Sequence, residues 1–468
     1  MQDILYNYEV NSTTWVYLSS LIIIAVYFKF RRFWSVRNLD LIGLILFAPG
    51  LLLVLHGWEI KGPAARPLNA TQTPAQEIGQ DQERVDLSEK SSPPTGDTVH
   101  KVDEGKEKPD SNAMLGRQFE QRGYLWLFVV GVFFLLRMLV DSAMVRRPLL
   151  EPNLSASGLT FTCAAMLVFL MSNVIAPPRT NVSNQAGAHP GTVSPAKAAH
   201  VEADEILQQQ GPGYPLFRLF ASESDTPAKK VTAILAHLAI VLGMVLIGYR
   251  HFDNTHTGIA AATLYLLLPY TANFTPRIDH VVPAALLVWA VQSYRRPVVA
   301  GIFVGLAAGL IWYPLFLLPL WCSFYWRRGL LRFSLAVLAV LAIMAVSLLF
   351  APRDLGTFAY QVGHTFGIIA PYVRGFWEDP LSPFRWPVIA AFVAMCGSMA
   401  LWPAQKNLGS LLACSAAIML GTQFWKAYEG GTFMAWYLPL LILAIFRPNL
   451  EDRVALSAIS EGWRKWRK

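Results

Sequence analysis

The sequence predicts an all-α fold, a polytopic bundle of transmembrane helices, and three observations lead to this class. Of the 468 residues, 54% are hydrophobic and only 15% are charged, which is too few polar side chains to cover a water-soluble globule of this size. The apolar residues are gathered in long runs rather than at the spacing of an amphipathic surface helix. Lys and Arg stand in short clusters between these runs. The composition therefore nearly excludes a soluble enzyme.

The individual spans follow from the length needed to cross a bilayer, about 20 mainly apolar residues. Seven runs meet this length clearly, at 15–30, 41–58, 124–144, 157–177, 231–249, 330–350 and 385–402. Six shorter or weaker runs also count as spans, because neighbouring helices can shield a short one: 257–272, 280–293, 298–311, 313–325, 407–421 and 432–446. The sequence thus predicts about 13 spans, in a range of 11 to 13.

The basic residues orient these helices, because Lys and Arg in short loops stay on the cytoplasmic side. The clusters comprise Lys29, Arg31, Arg32, Arg37, Arg146, Arg147, Arg250, Arg295, Arg296, Arg327, Arg328, Arg332, Lys406, Arg447 and the WRKWRK tail. With 13 spans and the N-terminus outside, all of them fall on the cytoplasmic side, as does the C-terminus. The net charge of +8 is then explained by topology and calls for no nucleic-acid partner. We expect a multi-pass protein of the cell membrane, of the bacterial inner-membrane type, whose partner is the lipid bilayer.

Polar segments divide the chain between these helices. The divisions are a transmembrane hairpin at 1–59, a disordered polar outer loop at 60–122, a second hairpin at 123–177, an outer loop with a possible amphipathic helix at 178–229, a core bundle at 230–350, an outer loop at 351–384, C-terminal helices at 385–447 and a basic cytoplasmic tail at 448–468. The 60–122 loop is assigned as disordered because it has too few apolar residues to offset the entropy of ordering.

Some polar residues inside the apolar runs have structural explanations. Arg137 and Asp141 stand four apart on one face of a helix, which predicts an ion pair that lowers the cost of burying both charges. His237 stands alone among apolar residues and is interpreted as a hydrogen-bonded packing residue. The turn at 250–256 contains two His and one Asp but lacks a fourth ligand nearby, so we predict neither a metal nor a cofactor.

A charged triplet, Arg277, Asp279 and His280, is the strongest candidate for chemistry. It lies at the predicted outer end of two apolar helices, where Asp279 could simply complement the positive end of a helix dipole. The functional interpretation makes Asp279 a general base, with Arg277 and His280 binding an anionic group. The outer segment 351–384 supplies further candidates for the binding of substrate, namely His364, Arg374 and Glu378.

The stretch 265–329, about 65 residues, carries a recurring pattern. A Pro near the outer face precedes the charged turn, an apolar helix then ends in Arg-Arg, and a helix of small residues breaks before a Pro and returns to a second Arg-Arg. These positions are Pro269, Arg277 to His280, Arg295 and Arg296, Ala300 and Gly301, Gly305 to Ala308, Pro314, and Arg327 with Arg328. The pattern resembles the central segment of the glycosyltransferase C superfamily, particularly its bacterial polyprenyl-phosphate-sugar-dependent, mannosyltransferase-like branch. Small residues here also predict close packing of helices.

The resemblance implies an enzyme that takes a sugar from a polyprenyl-phosphate donor and passes it to an acceptor at the outer face. It further implies an acidic base in an early outer loop, for which Glu202, Asp204 and Glu205 qualify; Asp204 and Asp279 are the catalytic candidates. Cationic side chains would stabilise the phosphate leaving group. This chain departs from many relatives at Ile311, where they have a Lys.

The alternative is a non-enzymatic membrane protein, either a transporter or a scaffold subunit with the same helical core. A transporter is expected to carry charged or helix-breaking positions at mid-bilayer depth in paired repeats. The sequence shows no internal repeat, and its polar residues concentrate at the outer mouth. This distribution favours a site at the membrane surface.

Overall fold

A computed structural model of the chain describes residues 12–61, 111–141, 150–175, 227–326, 328–348, 375–378, 381–403, 406–427 and 429–448. All regular secondary structure within these ranges is helical, which confirms the predicted all-α class. A helical segment coincides with each of the thirteen apolar runs that the sequence indicated.

Fourteen α-helices are formed in the described ranges. They are α1 Ser12–Tyr27, α2 Val36–Lys61, α3 Ser111–Asp141, α4 Ala156–Ile175, α5 Pro227–His251, α6 Thr255–Leu267, α7 Pro269–Asn273, α8 Ile278–Gln292, α9 Pro297–Leu310, α10 Leu318–Phe324, α11 Leu330–Leu348, α12 Arg385–Leu401, α13 Leu408–Trp425 and α14 Leu438–Phe446. Short 3₁₀ turns precede several of them, including Tyr313–Leu317 and Met434–Trp436.

Four of these helices, α2, α3, α5 and α13, are long and apolar enough to cross a membrane by length and composition. The other apolar helices do not meet this criterion over their described residues, and they share the same hydrophobic core. The chain is therefore a helical membrane protein. The count of about 13 spans and the sides on which the termini lie stay predictions from the sequence.

The hairpin of α2 and α3 is packed through glycines that repeat every seven residues, at positions 43, 50 and 57. A Cβ added to Gly57 would lie 2.7 Å from the carbonyl oxygen of Gly116, so the two backbones are almost in contact. At 31 residues α3 is about 46 Å long, which exceeds the hydrocarbon thickness of a bilayer. Since α3 begins at Ser111, helix occupies the end of the stretch 60–122 that the sequence predicted to be disordered.

The core reproduces the breaks and close contacts that the 265–329 pattern predicted. Leu268 has extended backbone angles and separates α6 from α7, which begins at Pro269. The chain breaks again after α9, where the 3₁₀ turn starts at Tyr313. Between these breaks, α9 packs against α11 through small residues, and a Cβ added to Gly301 would lie 2.6 Å from the carbonyl oxygen of Phe333.

A buried ionic network at one end of the bundle contains the predicted pair of Arg137 and Asp141, joined at 2.9 Å. Arg137 also donates to both oxygens of Asp40, from Nε at 2.9 Å and from Nη2 at 3.1 Å. The second oxygen of Asp141 accepts from Nη2 of Arg447, just after α14. The network thereby connects α2, α3 and the end of α14, and its charges cancel.

Helix α13 separates this network from the charged triplet. The guanidinium of Arg447, which belongs to the network, lies against Gly409 at the start of α13. Lys426, which interacts electrostatically with Asp279 of the triplet, follows the last residue of α13. Eighteen residues of helix span about 27 Å, close to the thickness of the hydrocarbon layer. The described part of the bundle therefore has an ionic cluster at each end of α13.

Candidate functional site

The charged triplet is brought together at the start of α8. Arg277 is the N-cap residue, and its guanidinium donates from Nε and Nη2 to the two carboxylate oxygens of Asp279 at 3.1 and 3.0 Å. Nε2 of His280 lies 3.6 Å from Oδ2 of the same carboxylate. The Asp279 side chain is 9% exposed and that of Arg277 is 27% exposed, so the pair is largely shielded from solvent. The three side chains meet as their adjacency in the sequence indicated, and the roles assigned to them stay predictions.

His280 is held by an aromatic pocket rather than by solvent. Its Nδ1 lies 2.5 Å from the hydroxyl of Tyr270 on α7, and its ring stacks between Phe274 and Phe433. When Tyr270 donates to Nδ1, the remaining ring proton sits on Nε2 and faces Asp279. The contacts of His280 thus favour a neutral ring, and its buried Nε2 makes no hydrogen bond to any residue that the structure describes.

Lys426, the residue after α13, lies near the triplet although it is far from it in sequence. It was not among the predicted site residues. It is buried, and its ammonium lies 3.8 Å from the ring centroid of Phe433, the same ring that stacks on His280. Tyr313 and Trp436 complete an aromatic cage at 5.8 and 5.9 Å. The turn at 433–436 and the distant segment that begins at Tyr313 therefore meet around this one ammonium group.

The charge state of Lys426 is finely balanced. Burial lowers the pKa of Lys426 to about 7, since water no longer stabilises the ammonium. The carboxylates of Glu429 and Asp279 act in the opposite direction, and the positive charges of Arg277 and Arg385 lower the pKa further. The ammonium consequently interacts both with Glu429 on its own turn and with Asp279 of the triplet.

The chain places Lys426 and Glu429 on one tight turn after α13. Glu429 has φ of 48° and Gly431 has φ of 99°, so the backbone reverses through the left-handed region. A Cβ added to Gly430 would lie 2.6 Å from the carbonyl oxygen of Gln423, which shows how closely the turn folds back on the helix. The Gly-Gly pair is therefore needed for the turn that presents both charges.

Two further hydrogen bonds fix the neighbouring elements. The indole N–H of Trp436 donates to the backbone oxygen of Asp279 at 3.1 Å, which joins the turn before α14 to α8. Arg385, the first residue of α12, donates from Nε to the backbone oxygen of Trp425 at 2.7 Å. Helices α8, α12 and α13 consequently present their charged ends at one place.

The other predicted site residues are not part of this arrangement as described. Asp204, His364 and Arg374 lie outside the described residues. Glu378 is half-buried and makes a local contact, accepting from the backbone N–H of Gly375 at 3.4 Å. Within the described ranges, no group of three or more His, Cys, Asp or Glu side chains is arranged to hold a metal ion.

The residues that sequence reasoning missed, Lys426, Glu429 and Arg385, carried a weak signal. Lys426 and Glu429 are isolated charges in the otherwise apolar and aromatic stretch 408–446, which is unusual in a membrane segment. Arg385 begins a predicted helix, where a basic residue is ordinary. Their connection to Asp279 spans more than a hundred residues and needed the fold to reveal it.

No protein-family model, no curated protein and no solved structure matches this chain. The resemblance to the glycosyltransferase C superfamily therefore stays a prediction. What the chain does has to be argued from the geometry of the site, because a helical bundle by itself serves many functions.

Proposed function

We propose that this membrane protein is a glycosyltransferase C-like enzyme, which transfers a sugar from a polyprenyl-phosphate donor to an acceptor at the outer face of the cell membrane. The observation that carries the proposal is the convergence of Arg277 and Lys426 on one shielded carboxylate, Asp279, with Arg385 close to Lys426. Such a transfer needs a base for the acceptor hydroxyl and positive charge for the phosphate leaving group. This end of the bundle offers both.

The ion pair suggests how binding and chemistry are coupled. In the free protein Arg277 occupies both oxygens of Asp279. A donor phosphate competes for this guanidinium, because Arg binds phosphate and carboxylate with the same pair of parallel N–H groups. An oxygen of Asp279 then becomes available as a proton acceptor.

The proposed reaction is a displacement at the anomeric carbon. Asp279 takes the proton of the acceptor hydroxyl while the acceptor oxygen bonds to that carbon, and the bond from the carbon to the donor phosphate oxygen breaks. The phosphate leaves with the bonding electron pair, and Arg277 and Lys426 stabilise its charge. Asp204 is retained as a second candidate base on the resemblance alone.

A non-enzymatic role, as a transporter or a scaffold subunit, is the second candidate. One observation favours it: Asp279 already has its polar contacts inside the chain, as expected of an ion pair that merely holds α8 in place. A transporter would also use the broken helix at Pro269, beside a small apolar pocket between α2, α7 and α14.

The test is sugar transfer by the purified full chain in lipid nanodiscs, with labelled polyprenyl-phosphate hexoses as donors. We expect Asp279→Asn to lower the transfer rate by about a hundredfold or more, the usual effect of losing a general base. Asp253→Asn, an isosteric change at an exposed turn with a φ of 53°, is the matched control and should retain the rate. Equal rates in both variants would remove Asp279 from the mechanism. A folded wild type that transfers none of the sugars would favour the non-enzymatic role.

A further inference from the structure

Unused hydrogen-bond donors line the edge of the site, around the start of α12. The Arg385 guanidinium has one hydrogen bond, from Nε to the backbone oxygen of Trp425, and no carboxylate contacts it among the residues that the structure describes. The Trp425 side chain is 4% exposed, and its buried indole N–H has no hydrogen-bond partner in the part of the chain that the structure describes. A buried donor without an acceptor destabilises the fold, so such a group needs an explanation.

The hydroxyl of Tyr313 adds a third donor to this edge. It makes no hydrogen bond within the described ranges, and it lies close enough to Arg385 for the two groups to interact electrostatically. The Tyr313 ring stacks on Trp312 at 4.2 Å and also forms a wall of the cage around Lys426. Tyr313 thereby joins the two parts of the site.

Positive groups converge at this edge. Arg277 and Arg385 both interact electrostatically with Lys426, and each of them lowers the pKa of Lys426. Gathering like charges in a shielded place costs free energy unless opposite charges lie close by. An anion bound between Arg385 and Lys426 would reduce that repulsion and accept hydrogen bonds from the unused donors.

We infer that Arg385, Lys426, Tyr313 and Trp425 form a binding site for an oxyanion, specifically a phosphate group. The guanidinium fork matches two phosphate oxygens, and a tetrahedral group also presents oxygens to donors that approach from other elements. The site lies just past the end of α13, a helix long and apolar enough to cross a membrane, so we expect it at the depth of the phospholipid headgroups. The inference concerns binding alone, so it holds for a transferase and for a non-enzymatic protein.

The experiment measures binding by calorimetry to the full chain in a neutral maltoside detergent. One probe is short-chain phosphatidylglycerol, and the other is inorganic phosphate. Saturable binding of the lipid alone would identify a headgroup site, and binding of both probes a site for free phosphate as well. We expect Arg385→Gln to weaken the binding about tenfold or more, and Tyr313→Phe to weaken it less.

Arg296→Gln is the matched control, because Arg296 is an exposed arginine at the start of another helix, α9. It should bind the probes as the wild type does. Thermal unfolding of each variant establishes that the fold is kept, and Arg385 is only half-buried, so its substitution should be tolerated. Absence of saturable binding to either probe, or equal affinities for wild type and Arg385→Gln, would overturn the inference.

Discussion

Asp141 accepts a hydrogen bond from Nη2 of Arg447 at 2.8 Å, although the two residues are 306 positions apart. Its other oxygen accepts from Arg137, so one carboxylate connects α3 to the residue that follows α14. Arg447 lies beside Gly409 at the positive end of α13, where a cation is disfavoured. The carboxylate of Asp141 compensates for that placement.

Replacing Asp141 should therefore destabilise the whole bundle. Asp141→Asn removes the negative charge that compensates two buried guanidinium groups, those of Arg137 and Arg447. Breaking a buried ion pair costs about 3–5 kcal/mol of stability. The change should appear as a lower midpoint in denaturant unfolding of the protein in mixed micelles. Glu59→Gln, at a side chain that is 78% exposed, is the control and should leave the midpoint nearly unchanged. Equal midpoints for the two variants would show that the network contributes little.

A double substitution separates a structural from a functional role of the Arg277 and Asp279 pair. Each single change, Arg277→Met or Asp279→Leu, should cost roughly 3 kcal/mol of stability, because it leaves a shielded charge unpaired. The two together should restore most of that stability, since no unpaired charge remains. If the pair serves catalysis, the double variant regains stability but not sugar transfer. Recovery of both would contradict the proposed base.

The pKa of Lys426 predicts how binding of a phosphodiester headgroup depends on pH. Burial lowers this pKa to about 7, so the ammonium is charged below that pH and loses its proton above it. Anion affinity should then fall by up to about tenfold per pH unit above 7. The neighbours that tune this titration are Glu429, Asp279, Arg277 and Arg385.

Lys426→Arg is the matched variant for the pH experiment, because an arginine keeps its charge throughout this range. Its affinity should be nearly constant from pH 6 to 8.5 in the same calorimetric measurement. A wild-type affinity that does not change with pH would contradict a role for Lys426 in binding. A decline of the same size in Lys426→Arg would assign the titration to another group.

Glycine packing gives a prediction about the core. A Cβ at Gly248 in α5 would collide with the backbone of Gly258 in α6, whereas a Cβ at Gly397 in α12 would meet nothing within 4 Å. Gly248→Ala should destabilise the protein by about 1–3 kcal/mol. Gly397→Ala should be neutral or stabilising by about 0.5–1 kcal/mol, because Ala favours a helix. The midpoints of thermal unfolding compare them, and the reverse order would refute this packing.

The fold was predictable where it depends on local pattern. Apolar runs marked the helices, and spacing by four residues marked the pair of Arg137 and Asp141 because one helix carries both. Asp40 and Arg447 complete the same network from other helices, so no local spacing could reveal them. Close packing was predictable at Gly301 and Gly305, and the seven-residue repeat of Gly43, Gly50 and Gly57 is an equally regular signal in the sequence.

The candidate site was predictable only in part, for a similar reason. Arg277, Asp279 and His280 are neighbours in sequence, so their meeting at one helix end could be anticipated. Lys426 reaches Asp279 only because the turn after α13 folds against α8, and Arg385 lies near Lys426 only because α12 begins at the same level. Proximity of this kind is a property of tertiary packing, which a pattern along one chain does not contain.

The account depends on the site lying at the outer face, opposite the basic loops. Labelling of intact cells with a membrane-impermeant maleimide tests this directly. Phe384→Cys, at a side chain that is 66% exposed beside Arg385, should react from outside, and Arg296→Cys should react only after permeabilisation. The unaltered chain supplies the background from its four free cysteines. Labelling of Phe384→Cys only after permeabilisation, or of both variants from the same side, would contradict the proposed topology and the outer-face site with it.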